Sequence, residues 1–149
     1  MKMKLLLLAS LLVSPLSYAK MDIMAHATYA RAMAPGAVTS AVFGEIVNRS
    51  DTDRYIVSAT TDAAGKVELH DVIMDGEVMK MRQVSELKVP AKDKLVLQPG
   101  SYHIMLFNLV KPLNDGDNID VQVTFKNGQQ YTFSAPVKKV MSGMKMNHH

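Results

Sequence analysis

The chain contains no cysteine and no tryptophan. Without thiols there is no disulfide scaffold, no thiol redox catalysis, no zinc–thiolate site and no cysteine-ligated blue-copper centre. A charge excess is missing too. Setting aside Lys2 and Lys4, which sit in a segment expected to be removed, leaves 15 of the 17 basic side chains against 14 acidic ones. A near-neutral domain with no basic run is a poor match for nucleic acid or an anionic membrane. No apolar stretch reaches the ~20 residues that a membrane span needs. Ser-His-Asp order, paired carboxylates, HExxH and a Gly-rich phosphate loop are also absent. Hydrolase and nucleotide chemistry therefore have no warrant, and no enzyme activity is expected. What remains is a chain of 149 residues, 48% apolar and 21% charged, with 12 methionines. That length and composition suit one globular domain.

The first 19 residues, MKMKLLLLASLLVSPLSYA, follow the grammar of a secretory signal peptide. Two lysines precede the apolar run Leu5–Val13, Pro15 breaks it, and Ser17 and Ala19 stand two apart. Cleavage after Ala19 would leave a domain over 20–140, and 141–149 (MSGMKMNHH) lacks any strand pattern and reads as a flexible tail.

Between leader and tail, short alternating segments are separated by turn chemistry. Strands are expected over Ile23–Ala32, Ser40–Asn48, Tyr55–Thr60, Val67–Ile73, Val78–Val84, Lys94–Leu97, Tyr102–Leu109, Asn118–Phe125 and Gln130–Val137. Turns are expected at Ala34–Gly36, Arg49–Asp51, Asp62–Gly65, Pro99-Gly100 and Asn114–Asp117. Asp75-Gly76 and Asn127-Gly128 read as two-residue hairpin turns, because both residues tolerate positive φ. Eight or nine strands in so short a domain predict an all-β, antiparallel Greek-key β-sandwich.

Alternation sorts side chains by face. His70 opposes Val67 and Leu69, which places it outward with Glu68. Met79 and Met81 share a face, opposite Lys80 and Arg82. His103 and Met105, two apart, project together. The combined spacing is H-x10-M-x21-H-x-M. Two imidazoles and two thioethers suit Cu(I): thioether sulfur is neutral and soft, and Cu(I) accepts a tetrahedral set of nitrogen and sulfur donors. Methionine also avoids loss of the site to disulfide formation. Periodicity alone does not choose between Met79 and Met81.

The spacing and its surroundings resemble the periplasmic copper chaperones of the PCu(A)C family. The resemblance runs through Tyr29-Ala30-Arg31-Ala32-Met33-Ala34-Pro35-Gly36, Val67–Asp71, Met79–Arg82, Gln98–Leu106, Lys111-Pro112-Leu113 and Gly116-Asp117. It covers about residues 22–137. It implies a cupredoxin-like sandwich that holds one Cu(I) near its surface through His70, Met81, His103 and Met105. It also implies delivery of copper in the periplasm to an acceptor such as the CuA centre of cytochrome c oxidase. Family spacing is what selects Met81 over Met79. Tyr29 stands where an aromatic residue, often Trp, is usual, and Ala34-Pro35-Gly36 replaces a Pro-Pro-Gly-type turn.

Other residues carry secondary expectations. Met79 and Met74 are reserve ligands or packing residues, and His26 is a surface residue. Glu68 and Asp71 flank His70 and are placed to hydrogen-bond a ligand imidazole. Met141, Met144, Met146, His148 and His149 in the tail form a candidate second segment for Cu(I) or Cu(II). A monomer is expected. With no thiol of its own, it would need a separate thiol-bearing partner to keep an acceptor's cysteines reduced. The alternative function is copper buffering for metal resistance, without a dedicated acceptor.

Overall fold

The computed structural model describes residues 22–139. The expected leader, 1–19, and the Met/His tail, 141–149, lie outside the described residues. The described chain forms ten strands. These are β1 (Ile23–Arg31), β2 (Thr39–Asn48), β3 (Arg54–Thr60), β4 (Ala64–Asp75), β5 (Val78–Gln83), β6 (Leu87–Val89), β7 (Asp93–Leu97), β8 (His103–Leu109), β9 (Asn118–Phe125) and β10 (Gln130–Lys138). Nine match the segments expected from alternation. β6 adds to them: its three residues bury Leu87 and Val89 either side of exposed Lys88 before Pro90 ends it. No helix among the described residues is long and apolar enough to cross a membrane.

The strands form a sandwich. One sheet runs β5-β4-β8-β2-β1 with β7 also on β2, and the other runs β10-β9-β3-β6. Pairings are antiparallel with one exception. β1 and β10 run parallel through Ala30↔Val137 and Arg31↔Lys138, which joins both sheets into a single hydrogen-bonded path. Period-2 patterning explains the core. β9 turns Ile119, Val121, Val123 and Phe125 inward, β10 adds Phe133, Ala135 and Val137, and Val42, Ile46, Leu69, Ile104 and Leu106 meet them from the facing sheet. Each such aliphatic or Phe side chain contributes about 1.5–3 kcal/mol over its exposed state. β2 departs from alternation, since Ser40 to Gly44 are all buried. Its outer face is therefore covered as well as its core face.

That second cover comes from a corner. β8 pairs with the first half of β2 (Thr39–Val42) and β7 with the second (Gly44–Asn48), on the same edge. The chain between them turns at Gln98–Ser101, where Ser101 N donates to Gln98 O at 3.1 Å. Gly100 has φ +80°, the positive value that the third position of a Pro-Gly type II turn requires. Opposite this corner, β1 bulges between His26 and Tyr29 with Ala27 at φ 51°. Thr28 there lies so close that a Cβ on Gly44 would approach its Cα within 2.6 Å. Only glycine fits at position 44.

Three turn expectations need correction. The β4–β5 loop consists of Gly76 and Glu77, because Asp75 pairs with Val78 inside the ladder. Gly76 alone has positive φ, +63°, the pattern of a type II′ turn with glycine first. The β9–β10 connection is wider than two residues: Phe125 N bonds to Gln129 O, Gly128 N bonds to Phe125 O, and only Gly128 is left-handed. Gly65, expected in a turn, lies inside β4 against Asn108 of β8.

Candidate metal centre

The register sets the site. His70 on β4 pairs directly with His103 on β8 and with Gln83 on β5. Directly paired residues of an antiparallel ladder share a face, and diagonal neighbours lie about 7–8 Å apart, within reach of long side chains. Met105, opposite Glu68, is one diagonal neighbour of His70; Met81, opposite Val72, is another. All four residues thus stand on the face turned away from the hydrophobic core. Leu69, Ile104 and Leu106 occupy the other face.

The two imidazoles are anchored differently but to the same effect. His70 Nε2–H donates to Glu68 Oε2 at 2.7 Å, and His103 Nδ1–H donates to the Ser101 carbonyl at 2.8 Å. A carbonyl and an ionised carboxylate only accept, so each bond fixes the tautomer and leaves the other ring nitrogen with a lone pair. Those nitrogens, His70 Nδ1 and His103 Nε2, are buried and have no hydrogen-bond partner. An imidazole held through one nitrogen with the other bare is the arrangement of a metal-ligating histidine.

The rings are 5.6 Å apart between centroids, and aromatic side chains enclose them. Phe107 packs on His70 at 5.8 Å, Phe43 on His103 at 6.2 Å, and Tyr29 on Phe43 at 5.4 Å. The outward face of β4 therefore offers little access at this point: His70 is 8% exposed and His103 3%. His70 does point away from the core, as alternation requires, but aromatic side chains cover it.

Beside His103 lies a cavity of about 260 Å³ lined by Met81, Met105, Val72, Phe43, Arg31 and the Pro99-Gly100 turn, among others. His103, Met81 and Met105 line it, and the His70 ring lies 5.6 Å from that of His103 between centroids. The Arg31 guanidinium lies over Phe43, 5.3 Å from its centroid. Burial is the main reason the His103 imidazolium is disfavoured and its pKa lowered; the Ser101 bond opposes this, and the neighbouring His70 and Arg31 add to it. Glu68 is held as a carboxylate below its ordinary range, first by the His70 bond and then by Lys66. The first shift favours a neutral His103, and the second keeps the acceptor of the His70 bond ionised.

Among the described residues, no three His, Asp or Glu side chains converge as an ion site. A metal centre here needs the thioethers. Met105 is half-buried, while Met81 is 62% exposed. Met79 shares the face of Met81 and lies by the Pro99-Gly100 turn. Of the two acidic neighbours of His70, Glu68 bonds the imidazole and Asp71 does not; Asp71 accepts from Arg82 at 3.4 Å. His26 is exposed on β1 opposite Glu45, away from the cluster. Met141, Met144, Met146, His148 and His149 lie outside the described residues. Alternation alone did not single out Phe43, Phe107 or the Ser101 carbonyl. The available signals were local: Ser101 lies two residues before His103, and Phe107 lies four residues after it on the same strand face.

Solved structures share this fold along most of the chain. The copper-bound PCuAC domain from PmoF2 superposes with a TM-score of 0.69 at 18% identity, covering 83% of this chain and 97% of that one. The solution structure of CuI-DR1885 from Deinococcus radiodurans gives a TM-score of 0.62 at 28% identity, covering 78% and 80%. The sandwich is thus the cupredoxin-like fold of PCuAC domains. By sequence, "Putative lipoprotein Lxx21020" of Leifsonia xyli subsp. xyli (strain CTCB07) is 34% identical over 116 residues, 77% of this chain and 69% of that protein. The family profile described as "Putative lipoprotein LpqE-like" matches residues 23–137, from the first residue of β1 to the penultimate residue of β10. The chain belongs to the LpqE-like family.

Proposed function

We propose that this protein is a copper chaperone, exported to the periplasm by its leader, that binds Cu(I) through His70, Met81, His103 and Met105. One observation carries the reading: two adjacent buried imidazoles each keep one nitrogen anchored and the other bare, on the face that presents Met81 and Met105. The likeness to the Cu(I) form of DR1885 supports the same ion. Two neutral thioethers favour the reduced ion and make redox cycling unfavourable, which suits transfer.

Delivery follows from how the donors are held. The imidazoles are fixed by Glu68 and Ser101, whereas the Met81 side chain is mostly in solvent and is free to dissociate first. An acceptor thiolate, a stronger Cu(I) ligand than a thioether, would replace Met81 and then Met105 through a shared-ligand intermediate. The ion stays Cu(I) throughout, so only ligands exchange. A reduced CuA-type domain of cytochrome c oxidase has the required thiolates, and a separate thiol-bearing partner would keep them reduced.

The test is anaerobic Cu(I) titration followed by mixing with reduced and oxidised CuA domain. A first equivalent bound with both Cu–N and Cu–S scattering, and its transfer to the reduced acceptor alone, is the expected result. Absence of Cu–S scattering overturns the ligand set. Copper that stays put with reduced acceptor in excess replaces delivery with buffering.

A further inference from the structure

The face that carries the histidines continues past Met81 to the tip of the β4–β5 hairpin, and it continues in sulfur. Met74 on β4 pairs directly with Met79 on β5, and Met79 is two residues from Met81 on the same face. All three are open to water, at 63%, 59% and 62% exposure. Burying a methionine is favourable by kilocalories, so three left out on one hairpin find no explanation in folding. Met79 does not simply splay into solvent: its methyl carbon lies 3.7 Å from where a Cβ on Gly100 would sit. Gly100 lines the cavity that Met81, His103 and Met105 share. Met79 therefore spans from the hairpin to the cavity mouth, and Met81 belongs to both groups.

We propose that Met74, Met79 and Met81 form a second, outer Cu(I) site that receives the ion and passes it inward by way of Met81. This rests on the copper reading above and extends it to residues outside the four-donor set. The chemistry requires nothing else. Directly opposed strand residues have Cβ atoms about 4.5–5.5 Å apart, and three flexible thioether arms can converge on one soft cation. The ion remains Cu(I), and inward transfer exchanges Met74 and Met79 for His70, His103 and Met105 while Met81 stays bound. Thioethers carry no proton at working pH, so capture at the outer site is insensitive to pH, unlike the imidazole site.

The test uses the full chain labelled with methyl-13C methionine, its resonances assigned by single Met→Leu substitutions so that the tail methionines are told apart. In the wild type, the first anaerobic equivalent of Cu(I) shifts the Met81 and Met105 methyls, and the second shifts Met74 and Met79. In the His70→Ala/His103→Ala variant, the first equivalent shifts Met74, Met79 and Met81 together. The Met74→Leu/Met79→Leu variant loses the second-equivalent shifts and takes Cu(I) from a chelated donor more slowly, while the first equivalent binds as before. Should the double-alanine variant fail to fold, the two-step wild-type titration decides alone. Met74 and Met79 methyls that stay fixed through two equivalents, while Met81 and Met105 move, overturn the outer site and leave the chaperone reading standing. If Met81 and Met105 stay fixed as well, the chaperone reading fails first.

Discussion

The histidine pair and the methionine hairpin occupy one face of one sheet, yet they are built in opposite ways. His70 and His103 sit on strands flanked on both sides, under aromatic rings, each tied by a hydrogen bond. Met79 and Met81 sit on β5, the last strand of the sheet, where every residue is exposed. The difference lies in what each donor costs to hold. A bare imidazole nitrogen must be kept from water and from protons, which takes burial and an anchor. A thioether has neither need, and the edge strand leaves it mobile. In the proposed function, affinity thereby rests on the rigid half and exchange on the loose half.

Breaking the rigid half should have the largest effect. His103→Ala removes a proposed donor and the ring N–H that the part-buried Ser101 carbonyl accepts, a bond contributing about 0.5–1.5 kcal/mol. Cu(I) affinity should fall by more than the roughly 10–100-fold seen when residues supporting a ligand are removed. Competition titration with a Cu(I) chelator, alongside thermal melting, measures both. Met81→Leu tests the loose half. It should weaken Cu(I) binding clearly while leaving stability within about 0.5 kcal/mol, as expected of an exposed site. A matching loss of stability would show that Met81 holds the fold and would erase the contrast.

Glu68→Gln sharpens the comparison further. The amide no longer bears charge but fits the same space, so the His70 ring is held less firmly. Cu(I) affinity should drop by about 10-fold or somewhat more, with smaller effect on the Met methyl resonances. The smallest effect is on the copper-free protein. The folded-state pKa of His103 is lowered, so below its ordinary value of 6.5 the unfolded chain takes up a proton first. This contribution is fully present above pH 6.5 and fades as pH falls toward the depressed folded value. Thermal melts from pH 7.5 to 5.5 should show this loss, and His103→Leu should flatten it.

Much of this was legible in the residues, for identifiable reasons. Alternation depends only on the period of the strand, so it placed Val67 and Leu69 opposite His70 and paired His103 with Met105 on one face. It carries no information on what covers a face, which is why the enclosure of His70 by Phe107 and His103 was not foreseen. β6 escaped because two apolar residues around Lys88 are too few to establish a period. The β4–β5 turn was displaced by one residue because Asp75 fits a turn by propensity but is held in the ladder opposite Val78. The β1 bulge left no mark either, since Ala27 occupies a left-handed position usually given to glycine or asparagine. Periodicity left Met79 and Met81 equivalent. Register separates them, with Met81 on the cavity wall and Met79 over Gly100.

β5 is also an invitation to self-association. An edge strand with open backbone groups and an apolar face is a template for adding another strand. Its alternate positions answer that hazard. Lys80 and Arg82 occupy the reverse face, paired with Asp75 and Asp71 of the same hairpin. An antiparallel copy laid against this edge would bring cation against cation while its partners were already taken. The same six residues thus keep their sulfurs in water and oppose the fibre-like stacking that such a surface would otherwise promote, so thioether exposure and edge protection come from one alternation of side chains.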